Sequence, residues 1–299
     1  MCIRIPYCIF ILLLLFSCKN KNKSKVININ QLDLCDSFKR LDIALPEPTP
    51  GYWLFEHKEK GQTFDQYINY SPVTPFKNKT KIYLLPIGEF TEMQTKVIGY
   101  TADYLQIYFN LTVKTLNPIS DNVIPEDKRR MREDGHEQLL TTYILNKILK
   151  KNIPSDAIVL MAITAKDLYP KDSWNFVFGQ ASLKERVGVS SIYWYSEEPL
   201  DSLNYSICLE RLIKTSTHEI GHMFSIRHCT NAVCLMNGSN GLFESDEKPN
   251  SLCSVCLKKL YWNLGFDIKN RFLQSKLFFD KHHLHKDAEL MQQHLNIIR

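Results

Sequence analysis

The stretch from His218 to Cys256, HEIGHMFSIRHCTNAVCLMNGSNGLFESDEKPNSLCSVC, constrains this chain more than any other. His218-Glu219-Ile220-Gly221-His222 sets two imidazoles four residues apart, so on a helix they share one face with Glu219 beside them. Leu209, Ile213, Ile220 and Phe224 fall on the opposite side, which predicts a helix over about 203–224 anchored by one stripe and open to a cleft on the other. His228 follows six residues after His222, too far along to share the face, so the chain must turn between them. If His228 folds back, a metal gains three neutral nitrogen ligands and keeps an open position, the arrangement of catalytic zinc. Glu219 is then the general base and not a ligand.

The cysteines point to a second metal. Cys253 and Cys256 form a CxxC clip, and Cys229 with Cys234 adds another thiol pair nearby, together the four soft ligands that tetrahedral zinc prefers. Two disulfides are the alternative. A redox CxxC lacks its usual strand-then-helix setting here.

This constellation resembles the archaemetzincins, which are metzincin-type zinc metallopeptidases. The resemblance rests on His218, Glu219, His222, His228, Cys229, Cys234, Met236, Cys253 and Cys256 in order and spacing, and extends upstream through Gly51-Tyr52-Trp53 and Trp174 to Gln180. It implies a catalytic zinc on the three histidines, Glu219 as base, Met236 as the methionine of the turn beneath the metal, and a structural zinc on the four cysteines. One departure stands out. The family has glycine three residues after the second histidine, where this chain has Ser225. Serine at positive φ costs roughly 1 kcal/mol or more, so a strained turn with a retained site is expected.

Arg4 precedes an apolar run from Ile5 to Phe16 that ends at Ser17-Cys18 and a lysine- and asparagine-rich segment. That layout reads as a secretory signal over 1–17 with a lipobox and lipidation at Cys18, followed by a tether over 18–27. The expected localisation is a bacterial membrane-anchored lipoprotein facing outward, on the periplasmic or cell-surface side. An oxidising compartment favours disulfides at the cysteines, whereas the resemblance favours zinc; the reading adopted is zinc.

The remaining chain divides by pattern. Residues 28–80 are proline-rich and read as a wrapping N-terminal extension, with Trp53, Phe55, Phe64 and Tyr67 as anchors to the domain surface. Residues 81–224 read as an upper catalytic subdomain and 225–299 as a lower one carrying the third histidine, the Met-turn and the four-cysteine site. A strand at 81–88, a helix over 92–108 and a strand at 111–116 form a crossover unit. A second helix is expected over 137–150, a buried strand at 158–163, and a hairpin of strands at 176–182 and 187–194 whose edge borders the cleft. Backbone groups of Gly179, Gln180 and Ala181 would align an extended peptide there. A helix is expected over 251–264. The tail, with His282, His283, His285 and His294, reads as a polar surface helix and not as a third metal site.

The fold class that follows is α/β with α+β character: a metzincin-like twisted mixed sheet with an antiparallel edge strand, backing helices, a zinc-binding helix and a small Cys-rich C-terminal subdomain. Net charge is only +5, with Lys+Arg 37 against Asp+Glu 32, and no basic stripe or reading helix is present, which excludes nucleic acid as a partner. The expected function is zinc-dependent hydrolysis of a peptide or protein substrate by a single chain holding two Zn2+, with Glu219-assisted attack of water. Whether it trims termini or cuts internally is open. The alternative, motivated by Ser225, is a noncatalytic membrane-tethered protein that keeps its zinc for structure or binding.

Overall fold

A computed structural model describes residues 28–196 and 199–298. Strands β1 (Lys81–Ile87), β2 (Val113–Thr115), β3 (Arg129–Met131), β4 (Glu137–Leu140), β5 (Ala157–Thr164), β6 (Asp167–Tyr169), β7 (Gly179–Ala181) and β8 (Val187–Ser191) form two sheets. The larger has the order β2-β1-β5-β8-β7, and the smaller β3-β4-β6. In the larger sheet every neighbouring pair is parallel except β7 with β8, so the hairpin strand is antiparallel and lies at the edge.

Alternation along the central strands feeds two cores. Ile82, Leu84, Val159, Met161 and Ile163 face one side, against the helices Glu92–Phe109 and Tyr205–Met223. Tyr83, Leu85, Leu160 and Ala162 face the other, against Ile144, Leu145, Ile148 and Leu149. Burial on both faces explains why β5 is an unbroken apolar run. The helix Glu92–Phe109 starts at a capping box of Thr91 and Gln94, and its C-cap Asn110 takes the left-handed conformation at φ 50°. Its stripe of Val97, Thr101, Tyr104, Leu105 and Tyr108 is buried throughout.

Three expectations need correction. Residues 137–150 are not one helix: Glu137–Leu140 is β4, followed by a short α turn at Thr141–Tyr143 and a π-helical stretch at Ile144–Leu149. The buried Gln138 explains the extended start, since its side-chain amide donates to Asp167 and to the Asn175 carbonyl while β4 pairs with both β3 and β6. The expected strand at 176–182 is regular only over Gly179–Ala181. The tail is two helices, Ile268–Lys281 and His285–Ile297, and not a surface element alone. His282 and His294 are buried; His294 packs between Phe38 and Phe272 and its Nδ1 meets the Leu290 carbonyl at 2.8 Å. His283 and His285 are exposed, and none of the four joins a metal-ligating group among the described residues.

Residues 28–80 contact elements from the C-terminal part of the chain. The helix Ile29–Ser37 packs on the helix Ser254–Leu264. Tyr67 is fully buried and donates to the Phe224 carbonyl at 2.9 Å, whereas Phe55 is exposed. Residues 1–27, including the expected signal segment and Cys18, lie outside the described residues. No described helix is long and apolar enough to cross a membrane.

Candidate metal centres and active-site cleft

The helix Tyr205–Met223 carries His218, Glu219 and His222. Leu209, Leu212, Ile213 and Ile220 are fully buried on its core side, which leaves the two histidines on the cleft side with ring centroids 4.5 Å apart. The helix stops where the chain turns to bring back His228, whose ring lies 5.3 Å from that of His218 and 4.9 Å from that of His222. The turn is made at Ser225, which stands at φ +66°. This is the strained conformation expected of a serine in place of glycine, and it is compensated. The buried Ser225 hydroxyl donates to the Leu183 carbonyl at 2.6 Å and accepts the Val73 amide at 3.1 Å.

Each ring is oriented through Nδ1. His218 meets the Leu235 carbonyl at 2.9 Å, His222 the Ile226 carbonyl at 2.6 Å, and His228 the Glu59 carboxylate at 2.9 and 3.0 Å. Acceptors at all three positions assign the proton to Nδ1 and leave Nε2 as the free donor atom of each ring. One ligand atom from each histidine lies within 4.8 Å of the others. Burial, then the neighbouring His222 and His228, push the His218 pKa well down, and burial with His228 pushes His222 down to about 3. Neutral imidazole is the form that binds metal. Burial raises the Glu59 carboxyl, but the hydrogen bonds it accepts, that of His228 foremost, outweigh this and hold it below its ordinary value.

Glu219 is buried beside the histidines, and burial raises its pKa to about 8; a cation held nearby favours its charged form. It abuts the edge strand. A Cβ on Gly179 would stand 2.8 Å from Glu219 Cγ and Oε1 and 2.9 Å from the Val189 carbonyl, so only glycine lets strand and carboxylate come this close. Ser182 donates to Val187 and Ser191 to Phe178, which puts residues 178, 180 and 182 in the bonded positions of the hairpin. In such a ladder the amides and carbonyls of Gly179 and Ala181 turn to the open edge. The Gln180 side chain is held by the Thr141 hydroxyl. Strand, glutamate and histidines line one cleft of about 1000 Å³.

Beneath the histidines, Met236 is buried, and its Sδ would lie 2.7 Å from a Cβ on Gly221, so the thioether packs directly against the helix between the two histidine positions. Asn237 holds the turn: its Oδ1 accepts the Cys234 amide at 2.7 Å, and its Nδ2 donates to the carbonyls of Cys229 and Ala232. Lys248 adds bonds to the carbonyls of Asn237 and Gly238 and to the Ser239 hydroxyl; burial pushes its pKa down to about 8.

Cys229, Cys234, Cys253 and Cys256 are buried and unbonded, with all four sulfurs within 4.8 Å of one another. The Cys229 and Cys253 sulfurs are 3.6 Å apart, close to the ~3.8 Å edge of a tetrahedron with Zn–S of about 2.3 Å. Hydrogen bonds from the other three thiols push Cys229 down; burial, with hydrogen bonds to Cys229 and Cys253, pushes Cys234 up. One negative charge thus suppresses others unless a cation sits among them. The donor sets of both clusters fit zinc.

The sequence reading singled out these seven residues as candidate ligands, and the structure brings them into two groups, one of three histidines and one of four cysteines. It missed Glu59, which lies 169 residues from His228 and carries no local signal. It assigned Trp53 to packing, yet that ring lies edge-on to His228 at 5.1 Å and lines the cleft with His57 and Trp174, which stack at 5.6 Å. Arg130 is a brace at the cleft wall: it donates to the carbonyls of Asp172, Trp174 and Asn175.

Comparison with known proteins follows the same lines. Residues 134–261 match peptidase family M54. The chain is 38% identical over 256 residues to human archaemetzincin-2, covering 75% of this chain and 71% of that protein. The crystal structure of archaemetzincin from Methanopyrus kandleri superposes with a TM-score of 0.50 at 26% identity, covering 64% of this chain and 99% of that one. Archaemetzincin from Archaeoglobus fulgidus, complexed with malonate, gives 0.47 at 30% identity over 60% and 99%. The bacterial membrane-anchored lipoprotein expected from the first residues is corrected by these relatives: archaemetzincin from Methanopyrus kandleri is archaeal and archaemetzincin-2 is human. Sequence and structure together show that this chain belongs to the archaemetzincin family and is a zinc metallopeptidase of the metzincin clan.

Proposed function

We propose that His218, His222 and His228 hold the catalytic zinc, that Glu219 is the general base, and that the enzyme hydrolyses peptide bonds in a peptide or protein substrate. The observation that carries this reading is the convergence of three histidines, each with Nδ1 committed to an acceptor, beside a buried glutamate on the same helix. When bound, zinc supplies Lewis-acid polarisation of the scissile carbonyl and stabilises the negative charge that develops there. The chain supplies the rest. Glu219 takes a proton from the attacking water and returns it to the leaving amine. The outward-facing groups of Gly179 and Ala181 bond an extended substrate as an added strand, with Gln180 held between them. Met236 supports the histidine helix from below.

Cys229, Cys234, Cys253 and Cys256 hold a second, structural zinc that fixes the loop bearing Met236, since the Cys229 amide donates to the Met236 carbonyl at 2.8 Å. Zinc analysis of protein purified without added metal tests both assignments. Two zinc ions per chain are expected, falling to one in H222A and to one in C256S. A wild-type chain whose zinc content is unchanged by H222A contradicts the catalytic site.

A further inference from the structure

Of the three histidines, His228 is the one that the helix Tyr205–Met223 does not aim. It stands on irregular chain, so the direction of its ring depends on what holds Nδ1. The other two histidines use backbone carbonyls of their own lower loop, Leu235 and Ile226. His228 uses both oxygens of Glu59, at 2.9 and 3.0 Å, from a segment outside the residues that match the peptidase family.

That segment is built to reach this place. Gly61 stands at φ +65°, which favours glycine, and a Cβ there would meet the Thr230 side chain, so the chain passes close against the His228 loop. Gln62 locks the next position, accepting the Arg227 amide at 3.2 Å and donating to the Ser225 carbonyl at 3.4 Å. The Trp53 amide donates to the Glu244 carboxylate at 3.0 Å, and the Trp53 ring closes on His228 from the side. The extension is thus pinned on either side of Glu59.

We propose that Glu59 is the positioning residue for His228, so that the docked N-terminal extension completes the catalytic metal centre of this chain. The inference rests on the reading that the three histidines hold zinc. A carboxylate accepting from Nδ1–H makes a charge-assisted bond, stronger than one to a carbonyl. It fixes the ring and raises the basicity of the ligating nitrogen.

The test uses the full chain as wild type, E59A, E59Q and H222A, with zinc affinity read by chelator competition and ligand geometry by the visible spectrum after cobalt substitution. In E59A, affinity at one of the two sites should fall by about 10–100-fold and the nitrogen-site cobalt bands should shift, while the four-cysteine site and the unfolding temperature of the metal-free chain stay as in wild type. E59Q occupies the same space and can accept the bond without charge, so it should give a smaller loss at the same site; it carries the test if E59A does not fold. Wild-type affinity and an unchanged cobalt spectrum in E59Q and E59A would overturn the inference, as would equal weakening of both sites. If H222A binds as much zinc as wild type, the histidine reading itself fails, and the inference with it.

Discussion

Ser225 accepts the Val73 amide at 3.1 Å through a hydroxyl that also donates to the Leu183 carbonyl at 2.6 Å, while its backbone stands at φ +66°. The two bonds tie the helix-ending turn to the N-terminal extension on one side and to the edge hairpin on the other. Strain and compensation therefore reside in the same residue. S225A keeps the strain and loses both bonds, leaving a donor and an acceptor poorly paired, and should lower stability by about 2 kcal/mol or more. S225G loses the bonds but also relieves roughly 1 kcal/mol of strain, so it should be the milder change. Denaturant unfolding of the three proteins checks the order; S225A as stable as wild type contradicts it.

Gly179 abuts Glu219, the proposed base. G179A drives a methyl group toward Glu219 and the Val189 carbonyl, both under 3 Å from where it would sit. A displacement near 1 Å at a catalytic group costs on the order of 100-fold in rate, so kcat should fall by about that factor with two zinc ions still bound. Peptide hydrolysis and metal content measured on the same preparation decide the matter: a wild-type kcat would show that the edge strand does not constrain Glu219.

Lys248 makes stability depend on pH. Burial lowers its pKa from 10.5 to about 8 in the folded chain. Below about pH 8 both folded and unfolded chains hold the proton, and the cost of the buried charge is fully present. Between about 8 and 10.5 the unfolded chain binds more protons than the folded one, so stability rises with pH across that window, by on the order of 3 kcal/mol. K248M should lack this rise. Unfolding free energies at pH 7.5 and 10 for both proteins test it, and parallel profiles would contradict it.

The metal helix was legible because everything that defines it is local. The spacing of His218 and His222 and the opposite stripe of Leu209, Ile213 and Ile220 are properties of one helical period. The edge hairpin was legible for a similar reason, since a short link between two β-rich runs permits little else. Glu59 was not, because its partner is far away in sequence and an acidic residue among lysines looks like solvated surface. The helix expected over 137–150 failed at its start, where Gln138 is buried against Asp167 and the chain is a strand. His282 and His294 counted as polar in the tail, but an imidazole with one satisfied nitrogen packs as an aromatic ring. Cys18 and the segment before it lie outside the described residues, and the localisation drawn from them did not survive comparison with an archaeal and a human relative.

The central claim is that Glu219 performs the proton transfers of peptide hydrolysis beside a zinc held by three histidines. The most direct measurement is peptide cleavage by E219Q, paired with its zinc content and unfolding temperature. The account predicts full zinc loading, a wild-type fold and a loss of kcat of about 100- to 10,000-fold. Cleavage at the wild-type rate by zinc-loaded E219Q would contradict it.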